Sequence, residues 1–407
     1  MSSANIQQSE LWEIASKLVS FNTVSQYTNV PAAEFLANHL DDCGLTVQLL
    51  MQDVYDVSKA TVVAWAGPPE PDGLIISGHT DIVPFDKQPG WKSDPLLMHQ
   101  DGEQIFGRGV TDMKVFLAQA VLACKDLTLS SLRRPLVYIF TYDEEVAAQG
   151  SGRLVSLLPN LFRDYPLPKI ALIGEPTGFD IYPAHKGYAT FDVRVHGKGG
   201  HSSVPASGLN AIDTMADVIH VIQQVGKELE RSVSVENRQL FPEVPYSTFN
   251  SGMISGGLAP NMIADECRLT VSIRVAPGDD AQKIIQMVRE RVESEIASHM
   301  KTKAPDGGVF IENVVSCPPL RSPSEGAFCD LLCRVTGKDL AGGVSFATDG
   351  GNFQTIGIDS YVCGPGILAQ AHQPNESIPA ANFSSGLDYL EQVIYDWCVK
   401  EENGAAL

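Results

Sequence analysis

The sequence has no Cys-x-x-Cys pair. Its eight cysteines (43, 124, 267, 317, 329, 333, 363 and 398) are scattered along the chain. That argues against a zinc knuckle and against a disulfide framework, and it suits a reducing cytosol. No run approaches the ~18 consecutive apolar residues of a membrane helix; apolar stretches such as Leu136–Phe140 are strand-sized. Met1–Glu10 lacks a basic patch followed by an apolar stretch, so no signal peptide is visible. Positive charge is scarce. Lys plus Arg number 29 against 49 Asp plus Glu, a formal net charge of −20. Nucleic acid and anionic membranes should repel such a chain. There is no G-x-x-x-x-G-K-[ST] phosphate loop. The third glycine of G-x-G-x-x-G is replaced by Asp112, and no G-x-S-x-G nucleophile elbow occurs.

What is present points to two domains. The 407 residues exceed one core of the usual size. Ser9 followed by Leu11, Ile14 and Leu18 gives a helical stripe. Pro31–Cys43 forms a second helix, with Pro near its start and Gly44 past its end. Strands are expected at Leu45–Leu50, Ala60–Trp65 and Gly73–Gly78, and a helix at Met113–Leu127. Pro135–Thr141 and Lys169–Ile173 are continuous apolar runs, as strands buried on both faces require. The expected fold is α/β with a mostly parallel sheet. From Thr190 the pattern alternates apolar and polar, which suits an antiparallel sheet with one wet face. A helix from Asn210 to about Val225, strands at Ser247–Ile254 and Arg268–Val275, and a helix at Asp280–Ala297 complete an α+β insert. After about Met300 the α/β pattern resumes, with a strand near Ser360–Cys363 and a helix at Ser384–Lys400. The domains are therefore read as 1–185, the insert 186–298, and 299–407.

Three of the parallel strands end in polar residues. Gly73–Gly78 runs into His79-Thr80-Asp81, Pro135–Thr141 into Asp143-Glu144-Glu145, and Lys169–Ile173 into Gly174-Glu175. Sites in open α/β sheets form beyond the carboxyl ends of the strands. One strand-end Asp is usually a turn or helix cap, but three such endings form a constellation that suits a metal. Asp112 opens a helix after a glycine-bearing loop, and His372 follows the Gly364-Pro365-Gly366 turn.

These stretches, with His185-Lys186-Gly187, Gly199–Ser203, Gly256–Asn261 and Gly364–Glu376, resemble the peptidase M20 family of co-catalytic zinc amidohydrolases. Phe241–Asn250 and Gly364–Pro374 look most like its acetylornithine deacetylase branch. The resemblance implies a catalytic domain with an inserted ferredoxin-like dimerisation or lid domain. It implies two divalent metal ions, zinc by preference with cobalt or manganese able to substitute. His79, Asp112 and Glu175 would hold one ion, and Asp112, Glu145 and His372 the other, with Asp112 bridging and a cis peptide after it. Asp81 would orient His79, and Glu144 would be the general base for a water activated between the metals. His201, reaching a partner subunit of a homodimer through the insert, would stabilise the oxyanion. Asn261 and Arg274 would bind the substrate carboxylate. The implied reaction removes acetyl from N2-acetyl-L-ornithine in the cytoplasm, giving ornithine and acetate for arginine biosynthesis.

Two departures stand out. Val115 occupies a position where the family frequently has glycine, and Ala347–Phe353 looks more like succinyl-diaminopimelate desuccinylases. Another N-acyl amino acid, a succinylated diamino acid or a dipeptide therefore remain alternative substrates. A non-catalytic, metal-stabilised binding protein is the alternative from another class.

Overall fold

The computed structural model describes residues 6–400. Residues 1–5, part of the stretch read above for a signal peptide, and residues 401–407 lie outside the described residues. Helices α1 (Glu10–Ser20) and α2 (Val30–Asp42) precede strands β1 (Thr46–Val54), β2 (Val57–Ala66) and β3 (Leu74–His79). Helix α3 (Lys114–Lys125) precedes β4 (Leu136–Thr141) and β5 (Ile170–Ile173). Next come β6 (Gly187–His196), α4 (Ala211–Arg231), β7 (Thr248–Gly256), β8 (Glu266–Val275), α5 (Ala281–Val292) and β9 (Gly308–Cys317). Strand β10 (Asp359–Val362) and helix α6 (Ala380–Ile394) follow. Two compact units result. Among the described residues, one comprises 6–184, 321–341 and 348–400; the other comprises His185–Leu320 and Gly342–Ala347.

The first unit is built on a six-stranded sheet ordered β1-β2-β4-β3-β5-β10. Strands β4, β3, β5 and β10 are parallel, and β1 and β2 extend the sheet as an antiparallel hairpin. Every residue of β3 and β4 is buried. Continuous apolar runs are tolerated only where both faces are covered. Helix α3 is buried almost all round, from Lys114 to Cys124, and shares a core with Leu18, Ile76, Phe140, Phe383 and Leu390. The Ser9 hydroxyl caps α1 by accepting from the Trp12 amide, and Gly44, at φ 86°, closes α2. Because β3, β4 and β5 run parallel, His79, Thr141 and Ile173 all leave the sheet at the same edge. Among the described residues no helix is long and apolar enough to cross a membrane.

The second unit is an antiparallel sheet ordered β7-β8-β6-β9. With α4 between β6 and β7 and α5 between β8 and β9, the element order is βαββαβ, a ferredoxin-like arrangement. Strand β6 alternates buried and half-buried residues along its whole length. Its Phe191, Val193 and Val195 share a core with Met215, Val218 and Ile222 of α4 and with Val288 of α5.

Three boundaries differ from the sequence reading. The insert does not close at residue 298, because β9 pairs with β6 from Gly308 to Cys317. Its register shifts between Glu312 and Val315, and Asn313 adopts φ 54°. The bulge breaks the two-residue period that would have marked a strand. Helix α4 continues past Gly226 to Arg231, with Leu229 packed on the core. Helix α6 begins at Ala380, directly after Pro379.

Phe191 is fully buried between sheet and helices. Replacing it by Ala should destabilise the second unit by about 3–5 kcal/mol, read as a lower denaturant midpoint for that unit's unfolding.

Candidate metal centre

The polar strand ends of the first unit meet. His79 is the last residue of β3, and the Gly174-Glu175 step leaves β5. Asp112 immediately precedes Met113, the N-cap of α3, and the Asp112–Met113 peptide is cis. Glu144 and Glu145 follow β4 in a turn, and His372, at φ 62°, follows a short 3-10 turn at Leu368–Gln370. His79 Nε2 lies 3.0 Å from Asp112 Oδ1 and 3.9 Å from Glu175 Oε1. His372 Nε2 lies 3.3 Å from Asp112 Oδ2 and 3.0 Å from Glu145 Oε2. Asp112 therefore turns one carboxylate oxygen to each imidazole. Two tight trios fall within 4.8 Å, His79–Asp112–Glu145 and His79–Glu144–Glu175. They are not the ligand sets implied by resemblance, yet their five residues form one cluster with His372.

The electrostatics call for cations. Five carboxylates (Asp81, Asp112, Glu144, Glu145, Glu175) face two imidazoles; with all five ionised the formal excess is three negative charges even with both rings protonated. Burial, followed by repulsion between neighbouring carboxylates, lifts Glu144 and Glu175 well above the usual carboxylate range, and Glu145 in the same direction. Burial would also lift Asp112, but hydrogen bonds with His372 and His79 prevail and hold it low. Burial disfavours a charged His79, yet its bonds to Asp112 and Asp81 outweigh this and raise its pKa well above the ordinary value. Tetrahedral N and O ligands at ~2.0–2.2 Å from zinc stand roughly 3.3–3.5 Å apart. The observed spacing of 3.0–3.9 Å matches such a donor set. Charge, ligand chemistry and spacing thus fit divalent cations.

Side chains beyond the cluster fix its members. His79 Nδ1 donates to the Asp81 carbonyl at 3.0 Å and lies 3.6 Å from Asp81 Oδ1, which leaves Nε2 facing the cluster. The Asp81 carboxylate accepts from the amides of Glu144 and Glu145, at 3.1 and 3.2 Å, and from the Ser25 hydroxyl. Glu376, the last residue of the Gly364–Glu376 stretch, is buried. Its Oε1 accepts from the amides of Gly109, Thr111 and Asp112, and its Oε2 meets Arg108 at 2.7 Å. Asp349 drew notice only as part of an atypical segment. It is buried and accepts at 2.5 Å from both Thr141, the end of β4, and Ser151. The signal for Glu376 was its place four residues after His372. Nothing in the sequence marked Asp349 as an anchor.

The other expected residues lie on the second unit. His201 is exposed and pairs with Met262 in a two-stranded ladder, and the Ser202 amide donates to the Asn261 carbonyl. The unit thus brings His201 and Asn261 together. His201 Nδ1 accepts from the Ser203 amide at 3.2 Å, which places the proton of the neutral ring on Nε2. Arg274 is exposed on β8, with its guanidinium over the Tyr188 ring at 4.8 Å.

Comparison with known proteins places the family and the fold. The model of peptidase family M20/M25/M40 matches residues 75–396. Acetylornithine deacetylase of Photorhabdus laumondii is 32% identical over 390 residues, covering 95% of each chain. The enzyme of that name from Proteus mirabilis is 30% identical over 406 residues, covering 98% of this chain and 99% of its own. Among solved structures, an M20 family metallo-carboxypeptidase from Sulfolobus solfataricus superposes with a TM-score of 0.74 at 16% identity, over 95% of this chain and 98% of that one. A dinuclear metal-binding M20 peptidase from Bacillus subtilis gives 0.63 at 14% identity, over 97% and 99%. The chain belongs to peptidase family M20/M25/M40 and is a hydrolase.

Glu376 and Arg108 are both about 1% exposed. Glu376→Ala would strand a buried guanidinium and release three amides of the Asp112 loop. The expected cost is about 3–5 kcal/mol of stability, read by chemical denaturation, together with weaker metal retention on dialysis.

Proposed function

We propose that this hydrolase is a dinuclear metal-dependent amidohydrolase that deacetylates N2-acetyl-L-ornithine. The observation that carries the reading is Asp112, whose two carboxylate oxygens face His79 and His372 separately, with Glu175 and Glu145 on the respective sides. His79, Asp112 and Glu175 would hold one ion, and Asp112, Glu145 and His372 the other. Zinc suits these ligands, and cobalt or manganese could replace it. Two divalent ions held there would supply Lewis acidity for the scissile carbonyl and for water.

The protein's own groups do the rest. Glu144 has no hydrogen-bond partner for its carboxylate among the described residues, although it lies within 4.8 Å of His79 and Glu175. Its raised pKa, from burial and then from the charge of Glu175, suits a group that takes a proton from water and returns it to the departing amine. Asp81 keeps His79 in the tautomer that presents Nε2. We assign oxyanion stabilisation to His201 of the partner subunit in a homodimer formed through the insert. The Nε2–H tautomer is the one such a donor needs. Asn261 and Arg274 would receive the substrate carboxylate. Burial and then the nearby Arg274 charge lower the Lys186 pKa, so two cations stand close together there. The acetylornithine preference is supported by the relatives of that name. All eight cysteines are free thiols, which suits a cytoplasmic setting in arginine biosynthesis.

A panel of N-acetyl and N-succinyl amino acids and dipeptides, assayed with added zinc or cobalt and with a chelator, tests this reading. Chelator-sensitive preference for acetylornithine is expected. Equal or better turnover of another member would move the substrate assignment, and activity untouched by the chelator would overturn the metal mechanism. Glu144→Gln should lower kcat by about 10²–10⁴-fold with metal content intact. His201→Ala should lower kcat by roughly 10²–10³-fold, also with metal retained. Mixing the two variants should restore part of the activity if subunits share the site; proven subunit exchange without recovery would refute the shared site.

A further inference from the structure

We infer that Lys59 is a positioning residue for the metal centre, acting through Asp143 and Ser25; this rests on the metal-dependent reading proposed above. Lys59 lies inside β2, and its side chain is 2% exposed. Its ammonium has three donors, and all three are used. Nζ bonds to the carbonyls of Ser25 and Tyr27, at 2.6 and 2.7 Å, and to Asp143 Oδ1 at 2.7 Å. An ammonium is a costly occupant for a buried strand position. An apolar side chain would fill it at lower cost unless the charge serves an arrangement.

The partners reveal the arrangement. Asp143 directly precedes Glu144 and Glu145 and adopts φ 54°, a left-handed conformation uncommon outside glycine. The bond to Lys59 ties down the side chain of that turn residue. Ser25 is held by its carbonyl, and its hydroxyl donates to Asp81 Oδ2 at 2.8 Å. Asp81 in turn accepts the amides of Glu144 and Glu145. The contacts form a closed ring: Lys59 to Asp143, along the chain to the two glutamate amides, across to Asp81, on to Ser25, and back to Lys59. Asp81 also fixes His79. One buried cation therefore sets both the turn that presents Glu144 and Glu145 and the carboxylate that orients His79. Its own three bonds go to Ser25, Tyr27 and Asp143.

The test uses the full chain with Lys59→Met, which keeps length without charge, with Asp143→Asn, with both together, and with Ser25→Ala. Zinc or cobalt affinity is measured by competition with a chelator, alongside thermal unfolding of the metal-free protein and the separate kcat and KM. Lys59→Met and Asp143→Asn should each weaken metal affinity about 10–100-fold and lower kcat more than they raise KM. The double variant should lose no more than the larger single loss, because both act through one bond. Ser25→Ala should show a smaller loss in the same direction. Lower thermal stability with unchanged metal affinity would make Lys59 merely structural and overturn the inference. If Lys59→Met fails to fold, unchanged affinity in Asp143→Asn and Ser25→Ala overturns it equally. A wild-type chain that binds no divalent ion would overturn the metal-dependent reading and this inference together. A wild-type chain that binds metal as tightly as its variants would overturn only the positioning role.

Discussion

Five carboxylates gathered at one end of a sheet repel one another, and the first unit is organised around that repulsion. Two like charges 4 Å apart cost about 4 kcal/mol at an effective dielectric of 20. Two imidazoles offset part of the excess by pairing with Asp112 and Glu145. The remainder shows in the upward displacement of Glu144, Glu145 and Glu175. Divalent cations relieve the same repulsion while leaving the carboxylates ionised. The cluster's instability as a bare set of acids and its fitness for divalent cations are one property seen from two sides.

Such a cluster stays in place only if something stronger than repulsion holds the backbone that bears it. Three acidic residues supply this by accepting backbone and hydroxyl donors. Asp81 takes the amides of Glu144 and Glu145, Glu376 takes three amides before α3, and Asp349 takes the hydroxyls of Thr141 and Ser151. Asp81 and Glu376 satisfy loop amides that would otherwise be left without acceptors, and Asp349 does the same for two buried hydroxyls. The second unit carries no part of this cluster. It presents His201 and Arg274 to solvent on a sheet whose own core is apolar.

Much of this was legible in the residues. The continuous apolar runs at 135–141 and 169–173 and the alternation from Thr190 identified two kinds of sheet, because burial on one or both faces leaves distinct periods. That these side chains gather was legible because strand-end His and carboxylate residues have few reasons to recur in one sheet. Strand β9 was not, since its bulge at Asn313 removes the period. The end of α4 was hidden by Gly226, which reads as a stop, although packing carries the helix through it. Lys59, Glu376 and Asp349 share a deeper reason for being missed. Their partners lie 84, 265 and 208 residues away, and no local pattern records a contact made only on folding.

The first unit is interrupted in sequence by the 136 residues His185–Leu320. A ribosome adding roughly 5–20 residues per second therefore needs roughly seven to thirty seconds to pass from β5 to the segment that follows the insert. During that interval β3, β4 and β5 are already made, but edge strand β10, helix α6 and the residues His372 and Glu376 do not yet exist. The apolar flank of α3 waits for Phe383 and Leu390, and the Asp112 loop waits for its clamp. The insert, whose strands are contiguous, can finish folding first. Birth order thus makes the first unit the last to be completed and leaves its unfinished acidic end in the nascent-chain environment for that interval.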